Sequence, residues 1–261
     1  MSLRSLLLAA LVGLPTAAFA ADPDVPPGGP VKSFDLSKPF GLPRGWRFTA
    51  TQAPPVRDYE DLAPGRITLC IRRNDGPCVP ALQTGSNPDP EPELHGFHYL
   101  DDARTVYPRG PHGRPLLLVR AASLMAFNGD ADVMTQLISY DPQAHGFRRV
   151  YRFMTRRNRN EEVRYVGGGP LKGYVISAEP QERLPYGYWI TVNALTPAYT
   201  YRQVLHYPSA TRYGDLNPLA VIDSEMPNIL HRLGLWRPGM PLPVPAHCPR
   251  PHLVRTELWC S

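Results

Sequence analysis

From Trp46 onward the chain is a succession of short segments in which apolar and polar residues alternate or run together. Segments at 46–50, 66–72, 96–100, 115–125, 133–140, 147–155, 162–166, 174–178, 186–194, 199–207 and 219–222 have the length and the aromatic and β-branched content of strands. Asn128-Gly129-Asp130, Asp141-Pro142, Gly167-Gly168-Gly169-Pro170 and Thr196-Pro197 separate several of them, and each is turn chemistry. No helical period lies between the strands, so the pattern predicts antiparallel meanders rather than βαβ units. The expected fold class is all-β, built as a sandwich, a barrel or a small propeller.

Two segments predict one buried face each. Over 186–194, Tyr186, Tyr188, Ile190, Val192 and Ala194 share one side, with Gly187, Trp189, Thr191 and Asn193 on the other. Over 199–207, Tyr199, Tyr201, Leu205 and Tyr207 form the expected core face, opposite Thr200, Arg202 and His206. The run PLLLVRAASLM at 115–125 is apolar on both sides and is expected at the centre of the molecule. One short helix is predicted near 224–233, capped by Asp223-Ser224, striped by Ile229, Leu230 and Leu233, and stopped at Gly234.

The first twenty residues follow a different pattern. Arg4 precedes an apolar run from Leu6 to Leu14, and Ala18-Phe19-Ala20 ends it with small residues at the spacing read by signal peptidase. Residues 1–20 are therefore expected to be a cleaved signal peptide, with the mature protein periplasmic or secreted. No second apolar run has the length of a membrane-spanning helix.

Composition adds boundaries to this picture. Proline occurs 32 times and is concentrated at the two ends. Because proline has no amide donor and a fixed φ, residues 21–45 are expected to form an extended N-terminal arm. The tail at 237–261 is read the same way, which leaves a β-rich domain over 46–236. Four cysteines, Cys70, Cys78, Cys248 and Cys260, fall in the mature chain. In an oxidising compartment they predict two disulfides, with nearest-neighbour pairing favoured; their spacing does not suit a structural zinc site.

Basic residues outnumber acidic ones by 28 to 23, and all but three of the basic residues are arginine. The densest stretch runs from Arg148 to Tyr165, read as one hairpin in which arginines alternate with aromatic rings. Arginine next to aromatic rings suits anionic or sugar-bearing ligands through forked hydrogen bonds and stacking. Arg157, Arg159, Arg164 and Tyr165 are the candidate binding residues there, joined by Arg212 and Asp215 from the polar loop at 209–225. Export directs this chemistry toward an anionic polysaccharide, a lipid head group or an acidic protein surface, and away from nucleic acid.

Strings that mark common catalytic sites are absent, including G-x-S-x-G, H-E-x-x-H and the phosphate-binding loop. No metal site or cofactor is expected. His95 and His98 fall on opposite sides if their segment is a strand, and Asn128, Asp130 and Asp132 read as a turn rather than a calcium loop. The expected function is non-catalytic binding. The alternative is a secreted hydrolase or lyase that uses Asp215, Asp223 and Glu225, with His206 as a base near Asp215 or Asp223.

Overall fold

The computed structural model describes residues 28–58, 61–79, 96–109, 113–157, 160–183 and 186–260. The proposed signal peptide, the start of the proline-rich arm, His95 and Arg159 lie outside them. In chain order the elements are β1 (Gly29–Asp35), α1 (Ser37–Phe40), β2 (Trp46–Gln52), β3 (Val56–Asp58), β4 (Asp61–Ala63), β5 (Ile67–Arg73) and β6 (Tyr99–Val106). There follow β7 (Leu116–Ala122), β8 (Asp132–Asp141), β9 (Gly146–Arg156), β10 (Glu162–Tyr165), β11 (Val175–Pro180), β12 (Gly187–Leu195) and β13 (Tyr201–Arg212). The chain closes with α2 (Val221–Ser224), α3 (Met226–Arg232), β14 (Pro251–Val254) and β15 (Glu257–Cys260). The fold is all-β, as the alternation predicts, and its described strand pairs are antiparallel.

Three sheets carry the core: β1-β2-β5, β6-β7-β8-β9 and β10-β11-β12-β13. Their stacking is legible on β7. Leu117, Val119 and Ala121 pack with Phe48, Ala50 and Ile71 of the first sheet, whereas Leu116 and Leu118 pack with Val163 and Val175 of the third. The doubly apolar run is therefore central because it serves two cores, and each fully buried leucine contributes about 1.5–3 kcal/mol. On the far side of the third sheet, Ile176, Ala178, Ile190 and Val192 meet Val221, Ile222, Ile229 and Leu230 of the helices. The order of layers is first sheet, second sheet, third sheet, helices.

Both expected disulfides are present, Cys70–Cys78 and Cys248–Cys260, each with Cα atoms 5.1 Å apart. They lie in the two outermost layers. Cys70 belongs to β5 of the first sheet, and Cys260 ends the β14-β15 hairpin, whose Leu258 carbonyl accepts a hydrogen bond from Asn217 Nδ2 at 3.0 Å.

Several local expectations change. The proline-rich arm contributes β1, which adds to the first sheet through β2, because Phe34 inserts against Phe48 with ring centroids 5.2 Å apart. The tail likewise holds a hairpin, with Pro251 at the first strand position, where no amide donor is required. Segment 219–222 enters a helix rather than a strand. The helix near 224–233 is two pieces, α2 and α3, and Glu225 between them makes no side-chain cap to α3. In β13 a bulge between the Val192 and Asn193 pairings divides the expected single face. Tyr201 joins the core toward the second sheet, while Leu205 and Tyr207 join the core toward the helices.

The largest change concerns 148–165, which is no hairpin. β9 pairs with β8 and β10 pairs with β11, so the segment between them is the crossover from the second sheet to the third. The alternation gives each strand's period but not its partner.

Candidate functional site

The crossover disperses the candidate arginines. Arg157 follows β9 and reaches Asp101 Oδ2 at 3.4 Å. Arg164 lies on β10 facing the helices, where it pairs with Glu162 and donates from Nη2 to Asp223 Oδ2 at 3.0 Å. Burial works against its charge, but the Asp223 hydrogen bonds and the Glu162 carboxylate more than offset this and hold its pKa above the ordinary arginine value. Glu162 also accepts the Ile222 N–H at 3.1 Å, so the trio fastens α2 to the sheet. Tyr165 faces the other way, into the core between the second and third sheets.

The 209–225 loop is equally occupied. Asp215 accepts the N–H groups of Arg212 and Asn217 at 3.0 and 2.9 Å, a local turn closure. Glu225 is fully buried and accepts from Tyr207 Oη, the Ala210 and Thr211 N–H groups, Thr211 Oγ1 and Asn228 Nδ2, all between 2.8 and 3.0 Å. Each carboxylate named for the hydrolase alternative is thus held by the protein's own donors. His206 is not their neighbour in the fold: it lies on the face of the third sheet opposite Asp223. The Asn128 side chain accepts the Asp130 N–H at 3.0 Å in the β7–β8 turn, as expected for a turn. His98 is buried, with Nδ1 2.6 Å from the Pro64 carbonyl oxygen. Among the described residues no three His, Cys, Asp or Glu side chains are grouped to hold a metal.

Two features gather polar chemistry without such partners. The first is the outer edge of β9. Among the described residues this strand has a neighbour on one side only, β8. A bulge at the Leu137–Ile138 pairings turns Tyr151 and Phe153 inward against the third sheet, and leaves Arg149, Arg152, Met154 and Arg156 along the other side. Arg156 pairs with Asp132 at 3.6 Å. Arg149 and Arg152 are exposed, and their side chains make no ion pair or hydrogen bond among the described residues.

The second is the side of the third sheet that faces the second. Register places Ser177, Thr191 and His206 in one row across β11, β12 and β13, with Glu179 and Trp189 paired in the next. Thr191 Oγ1 and His206 Nδ1 share a hydrogen bond of 2.9 Å, and the imidazole stacks on Trp189 at 4.9 Å with planes 14° apart. Trp189 remains 40% exposed. Glu179 is partly buried, and its side chain makes no hydrogen bond or ion pair among the described residues. Its pKa is raised, first by desolvation and then by the charge of Glu161, while His206 opposes the shift. Deeper on the same side, the hydroxyls of Tyr151, Tyr165 and Ser177 are buried without a partner, as are Thr135 Oγ1 and Arg120 Nε on the facing sheet. Desolvation pushes the Tyr165 phenol up to about 12 and the Tyr151 phenol higher.

Sequence reasoning placed Trp189 and His206 on polar faces but singled out neither Trp189 nor Glu179 as functional. The available sign was a tryptophan on the side of 186–194 that otherwise carries Gly187, Thr191 and Asn193. No known protein family, curated protein or solved structure matches this chain.

Proposed function

We propose that this chain is an exported, non-catalytic binding protein that takes an anionic envelope polysaccharide along the free edge of β9. The observation that carries the reading is the pair Arg149 and Arg152, whose exposed side chains lie on one side of an edge strand and have no partner among the described residues. Guanidinium groups bind carboxylate and phosphate through two parallel hydrogen bonds, which suits a polymer bearing regularly spaced anions. Two disulfides fit an oxidising, exported setting, and that setting makes nucleic acid a poor candidate. The occupied carboxylates of 209–225 favour binding over hydrolysis.

Edge strands also carry charge simply to block pairing with another chain. The two roles separate experimentally. The double variant Arg149→Glu/Arg152→Glu is expected to lose at least about tenfold of its retention on a polygalacturonate column, since two charge-assisted contacts become repulsive. Its melting temperature should stay within about 2 °C of the parent, as for surface changes generally. Vesicles containing phosphatidylglycerol, run in parallel, identify a lipid preference. Unchanged retention on polygalacturonate overturns the proposal, as does tighter binding to the vesicles than to the polysaccharide.

A further inference from the structure

The structure assigns a second binding site to this chain, a cleft at one end of the second sheet in which Arg114 stands beside an aromatic wall and which fits a small aryl carboxylate. The cleft has a volume of about 300 Å³, at the low end of the range found for small-molecule pockets. Its lining among the described residues joins two parts of the fold: Phe40 and Leu42 around the turn that ends α1, and Pro115, Tyr140 and Pro142 beside the start of β7 and the end of β8. Gly41 makes that turn in the left-handed region, at φ 63°, and its N–H returns to the Lys38 carbonyl. Phe40 and Tyr140 both meet Phe147 edge-on, with ring centroids 5.1 and 5.3 Å apart, so the aromatic wall is fixed before a ligand arrives. A pre-positioned wall needs little ordering on binding. Phe40, Leu42 and Tyr140 are only half-buried and keep surface for a ligand in the cleft.

Arg114 selects the chemical class. The residue is exposed, and its guanidinium is held twice, by a 2.8 Å hydrogen bond from Nη2 to the Tyr140 carbonyl and by stacking over the Tyr199 ring at 4.3 Å. Among the described residues this uses one N–H, and the rest of the guanidinium fork is left for a pair of ligand oxygens. The local charge favours an anion as well. Arg109 also lies over the Tyr199 ring, at 5.6 Å, and Arg148 donates to the neighbouring Ala198 carbonyl at 3.1 Å. Against these three cations, Asp141 is the one carboxylate in an ion pair with any of them among the described residues. It is already held: Oδ2 lies 3.3 Å from Arg148 Nε, and Oδ1 accepts the Gln143 N–H at 2.9 Å. A flat ring bearing one carboxylate answers both halves of the cleft. A bare anion leaves the aromatic wall uncovered, and a neutral ring leaves the guanidinium to water.

The cleft shares no lining residue with the β9 arginines, and its failure is separable from theirs. Benzoate and phenylacetate are titrated into the full mature chain at physiological salt while backbone amide shifts are followed by NMR. Acetate supplies the anion alone, and benzyl alcohol the ring alone. At least one aryl carboxylate is expected to move the amides of Gly41, Leu42 and Tyr140 together and saturably, with an affinity at least about tenfold above that of acetate or benzyl alcohol. Arg114→Gln is expected to weaken that binding at least about tenfold and to leave the response to benzyl alcohol unchanged, because only the charge-assisted contacts are lost. Arg149→Glu/Arg152→Glu is expected to leave it within about twofold of the parent, since salt screens the more distant charges. The comparison of ligands uses the parent alone, so it decides the matter even where Arg114→Gln fails to fold. No saturable shift of those amides up to about 10 mM of either aryl carboxylate overturns the inference. Equal affinity for acetate or benzyl alcohol overturns it too, as does full affinity in a folded Arg114→Gln.

Discussion

Glu179 and Glu225 are glutamates associated with the same sheet, and their surroundings oppose each other. Glu225 sits among donors from Tyr207, Ala210, Thr211 and Asn228, so its burial is compensated. Glu179 has desolvation and the like charge of Glu161 around it, with His206 as the partial counterweight and the Tyr151 phenol nearby. A carboxyl whose folded pKa lies above its ordinary value of 4.5 binds its proton more tightly when folded. Its stabilising effect is complete at pH values below that ordinary value and is lost as pH rises through the folded value. The Glu179→Gln variant is therefore expected to melt slightly above the parent at pH 7, with the difference vanishing near pH 4. Thermal melts across this range check the sign, and a variant that melts well below the parent at pH 7 contradicts it.

At the scale of elements, the contacts that matter most join segments far apart in sequence. Arg164 on β10 reaches Asp223 on α2, and Glu162 holds the Ile222 amide beside it. The Arg164 side chain is 32% exposed, so solvent moderates the pair. A double-mutant cycle with Arg164→Met and Asp223→Asn should give a coupling of about 1–3 kcal/mol in urea unfolding. Additive single effects would show that the pair does not fasten the helix.

The same long-range joins explain what the sequence could and could not reveal about elements. The β7 run announced its central place because Leu116 to Ala122 are apolar on both sides, a property of the strand alone. The alternation over 186–194 likewise identified the buried face of β12. The bulge that sends Tyr201 and Tyr207 into different cores adds one residue to β13 without changing its composition, so the pattern around it still reads as a single face. Pairing is a property of two segments. The arginine-rich stretch therefore looked like a hairpin although β9 and β10 belong to different sheets. Strand β1 was obscured for a related reason: the prolines beside it outweighed the single inward contact of Phe34.

Across the whole molecule, four layers stack in chain order, and the two outer layers carry the two disulfides. The two inner sheets pack a core on each face, whereas among the described residues the first sheet and the helix layer each pack one core. A short closed loop constrains the unfolded chain by about 2–3 kcal/mol. The two disulfides thus constrain the two outer layers of the stack. Of the proposed site, the arginine content was legible in the sequence, but the position on an edge strand of two arginines without a partner among the described residues was not. Arg157 and Arg164, equally arginine by composition, are committed to Asp101 and Asp223. Which arginines are free depends on where the acidic residues of other elements come to lie.

The central claim is that Arg149 and Arg152 hold an anionic polymer. Its most direct test is calorimetric titration of oligogalacturonate into the parent and the Arg149→Glu/Arg152→Glu variant at low and at physiological salt. The account predicts measurable binding by the parent that weakens as salt screens the charges, and binding at least about tenfold weaker by the variant. Equal affinity of the two proteins, or parent affinity indifferent to salt, would contradict it.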